Sequence, residues 1–335
     1  MSLRSLFIPM YGQLCYNLSM KILLIIVAIL IVIGGVLVIV TYPRYSREMR
    51  AAREHLQAES EILNTDKGDI EYAVKGEGTP VLMLHGAGGG YDQGLWAGKL
   101  YLGGGYKFIS VSRYGYLRSS IPKDPSIKSQ SALYNALLDR LNIKKVIVVG
   151  ISAGGPSATQ FANDYPSKTS ALILLSAVIE AEAPGDKPAF YVKIIHLIQQ
   201  SDYAYWVFTQ FLQSTILSLM GVPPEVYQNF TPAQKEMAQE MLDIMHPMAG
   251  RYKGTINDGK MIQLEEVSTN NLSAPTLIIH AEDDALVSFH HAEDAHKRIK
   301  QSRLIFISTG GHVMVSRMDE VRQYVKEFLK HIRSD

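Results

Sequence analysis

Gly150-Ile151-Ser152-Ala153-Gly154 has the form G-x-S-x-G. A serine hydroxyl is a weak nucleophile; it needs a base to take its proton and an acid to orient that base. Glycine and serine are common in this chain, so the five residues carry weight only through their setting. They follow a short apolar run, Val146–Val149, and precede a stretch of helical spacing, Ser157–Tyr165. That is the strand–turn–helix context in which small neighbours let a serine hold a strained backbone position. The plainer alternative is a tight turn whose serine caps the helix. A candidate acid and then a candidate base follow later in the chain. His312 ends the loop Ser308-Thr309-Gly310-Gly311-His312, just before the last helical stretch, and His280-Ala281-Glu282-Asp283-Asp284-Ala285-Leu286-Val287 supplies the carboxylates. Asp283 and Asp284 are neighbours that point in different directions, so only one can face His312; Glu282 is a third candidate.

A tetrahedral intermediate also needs backbone donors for its oxyanion. The amide of Ala153, next after the serine, is one. The other is expected from Leu84-His85-Gly86-Ala87-Gly88-Gly89-Gly90, at Ala87, where glycines allow close approach of the backbone. This loop is not a dinucleotide fingerprint, because Gly86-x-Gly88-x-x ends on Tyr91, and there is no Walker motif. His290, His291 and His296 do not place two imidazoles at i, i+4, so a solvated helix is the reading there, with no metal and no cofactor.

The elements that must position these groups are legible as short apolar runs. Pro80–Leu84, Lys107–Val111, Lys145–Val149, Ala171–Leu175, Pro275–Ile279 and Arg303–Ile307 read as strands buried on both faces, and Asp69–Val74 alternates like an exposed strand. Helical stretches such as Ser131–Leu141 and Met318–Ile332 separate most of them, which gives an α/β fold with a mostly parallel sheet and helices on both faces. From about 178 to 273 the alternation stops, and apolar helical patterns punctuated by Pro223-Pro224 and Thr231-Pro232 predict a helical insertion between two strands. Its Tyr191, Tyr203, Tyr205, Trp206, Phe208 and Phe211 are either pocket wall or insertion core.

From about residue 68 to its end the sequence resembles the α/β-hydrolase family, in the branch holding carboxylesterases, monoacylglycerol lipases, cofactor-free perhydrolases and carbon–carbon bond hydrolases. His85-Gly86 with Ala87, the Gly150–Gly154 turn, His280–Val287 and Gly311-His312 carry the resemblance. It implies the fold, a cap formed by the insertion, and a Ser152–Asp284–His312 triad, since the family's acid comes four residues after the histidine of H-G-x-x-D-x-x-V. Ala281 replaces the glycine of that pattern. The family's D-x-x-G-x-G-x-S loop has Ser112 where aspartate is usual and Leu117 where glycine is usual. A serine at the turn is unlike the aspartate of dehalogenases and epoxide hydrolases. The expected activity is cleavage of a small-molecule carboxylic ester through an acyl-enzyme, and membrane anchoring makes a lipid-like ester plausible. Carbon–carbon cleavage, perhydrolysis and non-catalytic ligand binding on the same fold are the alternatives.

The bulk numbers bound the rest. Of 335 residues, 47% are hydrophobic and 19% charged, which excludes a disordered chain, and the net charge of +1 points to no nucleic-acid partner. The lone Cys15 excludes an intramolecular disulfide. Ile22–Val40 has no charged or strongly polar residue. At 1.5 Å per residue it spans about 28 Å, the thickness of a bilayer core. The run exceeds a secretory signal's apolar core and ends in Thr41-Tyr42-Pro43-Arg44, which is no small-residue cleavage site, so an uncleaved anchor is expected. Arg44, Arg47, Arg50 and Arg53 after the run outnumber Arg4 and Lys21 before it and put the catalytic part in the cytoplasm. Met20-Lys21 reads as a natural start, with residues 1–19 an extension. The expected organisation is a tail over 1–21, an anchor over 22–41, a juxtamembrane linker helix over 42–66 and a hydrolase domain over 67–335.

Overall fold

The computed structural model describes residues 4–180 and 189–332, without the side chains of 4–19, 30, 189–192, 264 and 331. The expected cap thus includes a segment, 181–188, outside the described residues, as does the side chain of Tyr191. The chain divides between Ala51 and Ala52 into two compact units.

The first unit is helical. Helix α1 runs Arg4–Ala58, and its stretch from Met20 is long and apolar enough to cross a membrane. Leu23, Leu24, Ile31, Val32, Ile39 and Val40 are all exposed on it, in every direction around the axis, so no face is reserved for a protein core.

The second unit holds an eight-stranded sheet in the order β1-β2-β4-β3-β5-β6-β7-β8. In chain order its elements are β1 (Glu61–Leu63), β2 (Ile70–Lys75), β3 (Thr79–Leu84), α2 (Tyr91–Tyr101), β4 (Tyr106–Val111), α3 (Ile127–Arg140), β5 (Val146–Ile151), α4 (Gly155–Asp164) and β6 (Thr169–Leu175). Helices α5 (Ala189–Gln199), α6 (Asp202–Phe211), α7 (Gln213–Leu219), α8 (Pro224–Gln228), α9 (Pro232–Asp243) and α10 (Tyr252–Leu264) form the insertion. Then come β7 (Thr276–Ala281), α11 (His290–Arg298), β8 (Ser302–Ile307) and α12 (Met318–Ile332). Strands β1, β2 and β4 pair antiparallel, and every pair from β4 across to β8 is parallel. Alternate residues of each strand feed two cores. Leu82, Leu84, Val148, Leu172 and Leu174 pack with α3, α4 and α11; Val81, Met83, Ile147, Val149 and Ile173 pack with α2 and α12. Leu84 pairs with Gly150 and Gly150 with Leu174, so the carboxyl ends of β3, β5 and β6 lie level. Ligands of open parallel sheets bind outside those ends.

Three local readings change. The sheet starts at β1, inside the stretch read as linker, because Glu61, Ile62 and Leu63 pair with Tyr72, Glu71 and Ile70. β2 is buried over its first four residues instead of alternating, because Glu71 has partners inside. Its carboxylate accepts from Ser60 Oγ (2.8 Å), Ser112 Oγ (3.0 Å), Arg118 Nε (2.6 Å) and Arg118 N (3.2 Å). Thus the carboxylate missing at Ser112 is supplied from β2. Leu117, where the family pattern has glycine, takes the left-handed backbone (φ 51°) that glycine adopts without strain.

Candidate active site

Ser152 sits on the turn from β5 to α4 with φ 49°, a conformation that costs a non-glycine residue roughly 1–2 kcal/mol. Packing enforces it. A Cβ on Gly154 would meet Leu84 O at 2.3 Å, and one on Gly150 would meet Ala158 Cβ at 2.5 Å. Only glycine fits on either side of this serine, because β3 and α4 press directly on the turn.

Ser152, His312 and Asp284 are brought together from the ends of β5, β8 and β7. His312 Nε2 lies 3.0 Å from Ser152 Oγ, and His312 Nδ1 lies 2.8 Å from Asp284 Oδ2. A carboxylate only accepts, so Nδ1 carries the imidazole proton and Nε2 is left to accept from the hydroxyl. Asp284 Oδ1 accepts the amides of Leu286 (2.8 Å) and Val287 (2.9 Å). Burial pushes the Asp284 carboxyl up, but the adjoining His312 and the hydrogen bonds from His280 and His312 outweigh it and hold the carboxyl well below its usual range. The carboxylate therefore stays ionised beside the imidazole.

The neighbouring carboxylates separate by geometry. Asp283 accepts the amides of Gly310 (2.9 Å) and Gly311 (2.8 Å) on Oδ1 and Thr309 Oγ1 (2.7 Å) on Oδ2, so it binds the loop that carries His312 and not the imidazole. Glu282 is exposed. The insertion holds the same loops: Gly221 O accepts from His312 N (3.1 Å) and Ala285 N (3.3 Å). Gly221 carries no motif that sequence reading could have caught.

The Gly86–Gly90 loop lies against Ser152; a Cβ on Gly86 would be 3.2 Å from Ser152 Cβ. Gly86 N donates to Gln93 Oε1 (3.2 Å), while Ala87 N donates to no protein acceptor among the described residues. Ala153 is the second residue of the single 3-10 turn Ser152–Gly154, where amides have no partner within the turn. His85 props this loop from beneath. Its Nδ1 donates to Gly86 O (2.6 Å) and its Nε2 accepts from Arg113 N (3.1 Å), a pattern only the neutral ring can make. Burial, then the charge of Arg113, drives His85 well below the usual histidine range. Arg113 itself donates to His85 O (2.9 Å) and to Asp258 of α10 (2.6 Å), which ties the loop to the insertion.

A cavity of about 270 Å³ opens onto Ser152 and His312. Its walls are mostly apolar, with Met220, Met241, Met245 and Met248 from the insertion and Trp96 and Tyr101 from α2. Among the insertion aromatics singled out in the sequence, Tyr205 lines the cavity; Trp206 is buried against Tyr203 and Phe211, and Phe211 is half exposed. The methionines, whose flexible thioethers adapt to irregular space, give no periodic signal that separates wall from core. No lysine or arginine is among the described lining residues.

The chain matches the family model described as "alpha/beta hydrolase fold" over residues 79–316. It is 30% identical over 264 residues to an uncharacterized hydrolase, YcgS, of Bacillus subtilis, covering 76% of this chain and 92% of that one. To the 2-hydroxy-6-oxo-6-phenylhexa-2,4-dienoate hydrolase of Comamonas testosteroni it is 24% identical over 273 residues, 78% of this chain and 91% of the relative. Among solved structures it resembles an alpha/beta hydrolase fold protein from Nakamurella multipartita, with a TM-score of 0.70 at 23% identity over 81% of this chain and 99% of that chain.

Proposed function

The chain belongs to the alpha/beta hydrolase family, and on that premise we propose that it is a membrane-anchored serine hydrolase that cleaves carboxylic esters with Ser152, His312 and Asp284. The observation that carries the reading is the hydrogen-bonded series Ser152 Oγ, His312 Nε2 and Nδ1, Asp284 Oδ2 at the mouth of an apolar cavity. In the proposed cycle His312 Nε2 takes the hydroxyl proton as Ser152 Oγ attacks the ester carbonyl. The Ala87 and Ala153 amides hold the oxyanion, and Asp284 stabilises the imidazolium. His312 returns the proton to the departing alkoxide, leaving acyl-Ser152. A water then attacks, again losing its proton to His312, and the acid leaves as Ser152 is restored.

Ester cleavage is favoured over carbon–carbon cleavage by the cavity walls. A dienoate carries a carboxylate, and burying one without a cation is costly; the described walls offer neither Lys nor Arg, their polar side chains away from the catalytic pair including Gln93, His196, Gln199 and Thr255. A neutral ester with an apolar acyl chain meets no such penalty. The exposed apolar side chains described over Ile22–Val40 support the anchor, and the arginines after it favour a cytoplasmic catalytic unit. An enzyme held at a bilayer meets lipid-like esters where they concentrate.

The test is turnover of p-nitrophenyl esters from acetate to palmitate by the detergent-solubilised chain and its Ser152→Ala variant. Hydrolysis with a chain-length optimum, reduced by about 10⁴-fold or more in the variant, is the expected result. Equal turnover by the variant would refute Ser152 as nucleophile, and a folded protein idle on every ester but active on a vinylogous diketone would move the reading to carbon–carbon cleavage.

A further inference from the structure

The oxygen of Asp284 that faces His312 has a second imidazole on it. His280, at the end of β7, is fully buried, and its Nε2 lies 3.1 Å from Asp284 Oδ2 and 3.0 Å from Val287 O. Both partners accept, so Nε2 bears the proton, which is hydrogen-bonded to Val287 O and stands against Asp284 Oδ2. Its other nitrogen, Nδ1, is buried without a hydrogen-bond partner among the described residues. Burying an unpaired polar atom is costly, a cost that leucine at the same place would not incur. The buried side of the ring packs edge-on against Phe289 (centroids 5.9 Å), which fixes its plane. The whole polar work of this side chain is therefore at Nε2.

We propose that His280 is a positioning residue: it holds Asp284 Oδ2 in line with His312 and, by sharing that oxygen, sets how strongly Asp284 supports the His312 imidazolium. The inference rests on the Ser152–His312–Asp284 reading. Two donors on one oxygen divide its charge, so His280 moderates the pull of Asp284 on His312 while Leu286 and Val287 fix the other oxygen. Other titratable groups do not take this part. On the two loops that meet at His312 they are Glu282, which is exposed, Asp283, which is occupied by Thr309, Gly310 and Gly311, and Arg317, whose Nε donates to Thr309 O (3.0 Å). Ser176–Ile179 after β6 and Met220–Pro224 of the insertion bring none.

The test measures, against pH, the rate at which diisopropyl fluorophosphate inactivates the detergent-solubilised full chain, a reaction that needs the activated serine and no knowledge of the natural substrate. In His280→Leu the acid limb of that profile is expected to lie about half a pH unit higher than in the parent, a roughly threefold slower reaction at a fixed pH on the limb. The plateau is expected to fall several-fold as Asp284 loses a support. His280→Gln, whose Nε2 can reach Oδ2, is expected to restore the parent limb; a side chain that only filled space would leave the limb unmoved in both. Should His280→Leu fail to fold, His280→Asn, too short to reach Oδ2, replaces it in the comparison with His280→Gln. An acid limb in the Leu or Asn variant that coincides with the parent's, or lies below it, overturns the proposal. Failure of the underlying reading shows separately, as labelling that survives Ser152→Ala.

Discussion

Asp284 faces four donors, the amides of Leu286 and Val287, His312 Nδ1, and His280 Nε2 at 3.1 Å, whereas Asp283 faces three on the loop that presents His312. Adjacent residues in a turn point apart, so identical side chains take different work. Asp284→Asn is expected to lower kcat/KM on a p-nitrophenyl ester by about 10³–10⁴-fold with little change in Tm, because an amide places a donor or a weaker acceptor against His312 Nδ1. Asp283→Asn is expected to lower Tm by several degrees and kcat/KM by under about 10-fold, since it loosens the His312 loop without touching the imidazole. Equal kinetic losses in the two variants would reverse the assignment. The sequence offered both carboxylates and no residue-level means of choosing; family spacing favoured Asp284, and the four donors are a three-dimensional fact. His280 was visible only as part of that spacing, because nothing in one dimension says which ring nitrogen meets which oxygen.

At the level of elements, what was legible is what repeats. The strands β3 to β7 stood out as apolar runs because both their faces are covered, whereas β8, read the same way, is an edge strand with Arg303 and Phe306 exposed; the turn at Ser152 stood out because packing admits only glycine at 150 and 154. β1 did not, being three residues of which Glu61 and Ile62 are exposed, and Glu71 in β2 looked like a solvent-facing residue when it is a buried hub. The insertion was recognisable as helical, but its docking was not, since that depends on polar pairs far apart in sequence. Arg251, fully buried, binds both oxygens of Asp92 on α2 (2.9 and 2.6 Å) and the carbonyls of Pro247, Ile244 and His246. Removing one partner of such a pair leaves the other charged and dry, which costs about 3–5 kcal/mol. Arg251→Met is accordingly expected to lower Tm by about 6 °C or more and to broaden or weaken the chain-length optimum, as the Met245–Met248 wall of the cavity is no longer held over α2. The double variant Arg251→Met/Asp92→Leu should recover much of the Tm, because no charge then remains unpaired. A single variant as stable as the parent would mean that water replaces the lost partner.

For the whole molecule, the consequence of α1 is that it is shared between the two compact units. Ile22–Val40 exposes apolar side chains on all sides, while the last turns, from Ala52, belong to the globular unit. There Leu56 packs with Ala73 and Tyr91, Leu56 O accepts from Tyr91 Oη (2.8 Å), and Ser60 reaches both Glu71 and Arg118. Cutting the chain after the anchor therefore has two different outcomes depending on where the cut falls. Residues 52–335 are expected to leave the membrane fraction that retains the full chain through a carbonate wash, and to hydrolyse a water-soluble ester at the full chain's rate. Residues 66–335 lose β1 as well, leave Tyr91 Oη without its acceptor and strip Ser60 from the buried Glu71. Two lost buried hydrogen bonds and the uncovered β2 edge amount to roughly 2–4 kcal/mol, or a Tm lower by about 5–10 °C than that of 52–335. Thermal melts of the two truncations decide the point: equal Tm values would show that the hydrolase domain begins at 67 as the composition of the linker suggested, whereas a lower value for the shorter form makes the end of α1 and β1 part of the domain that carries Ser152.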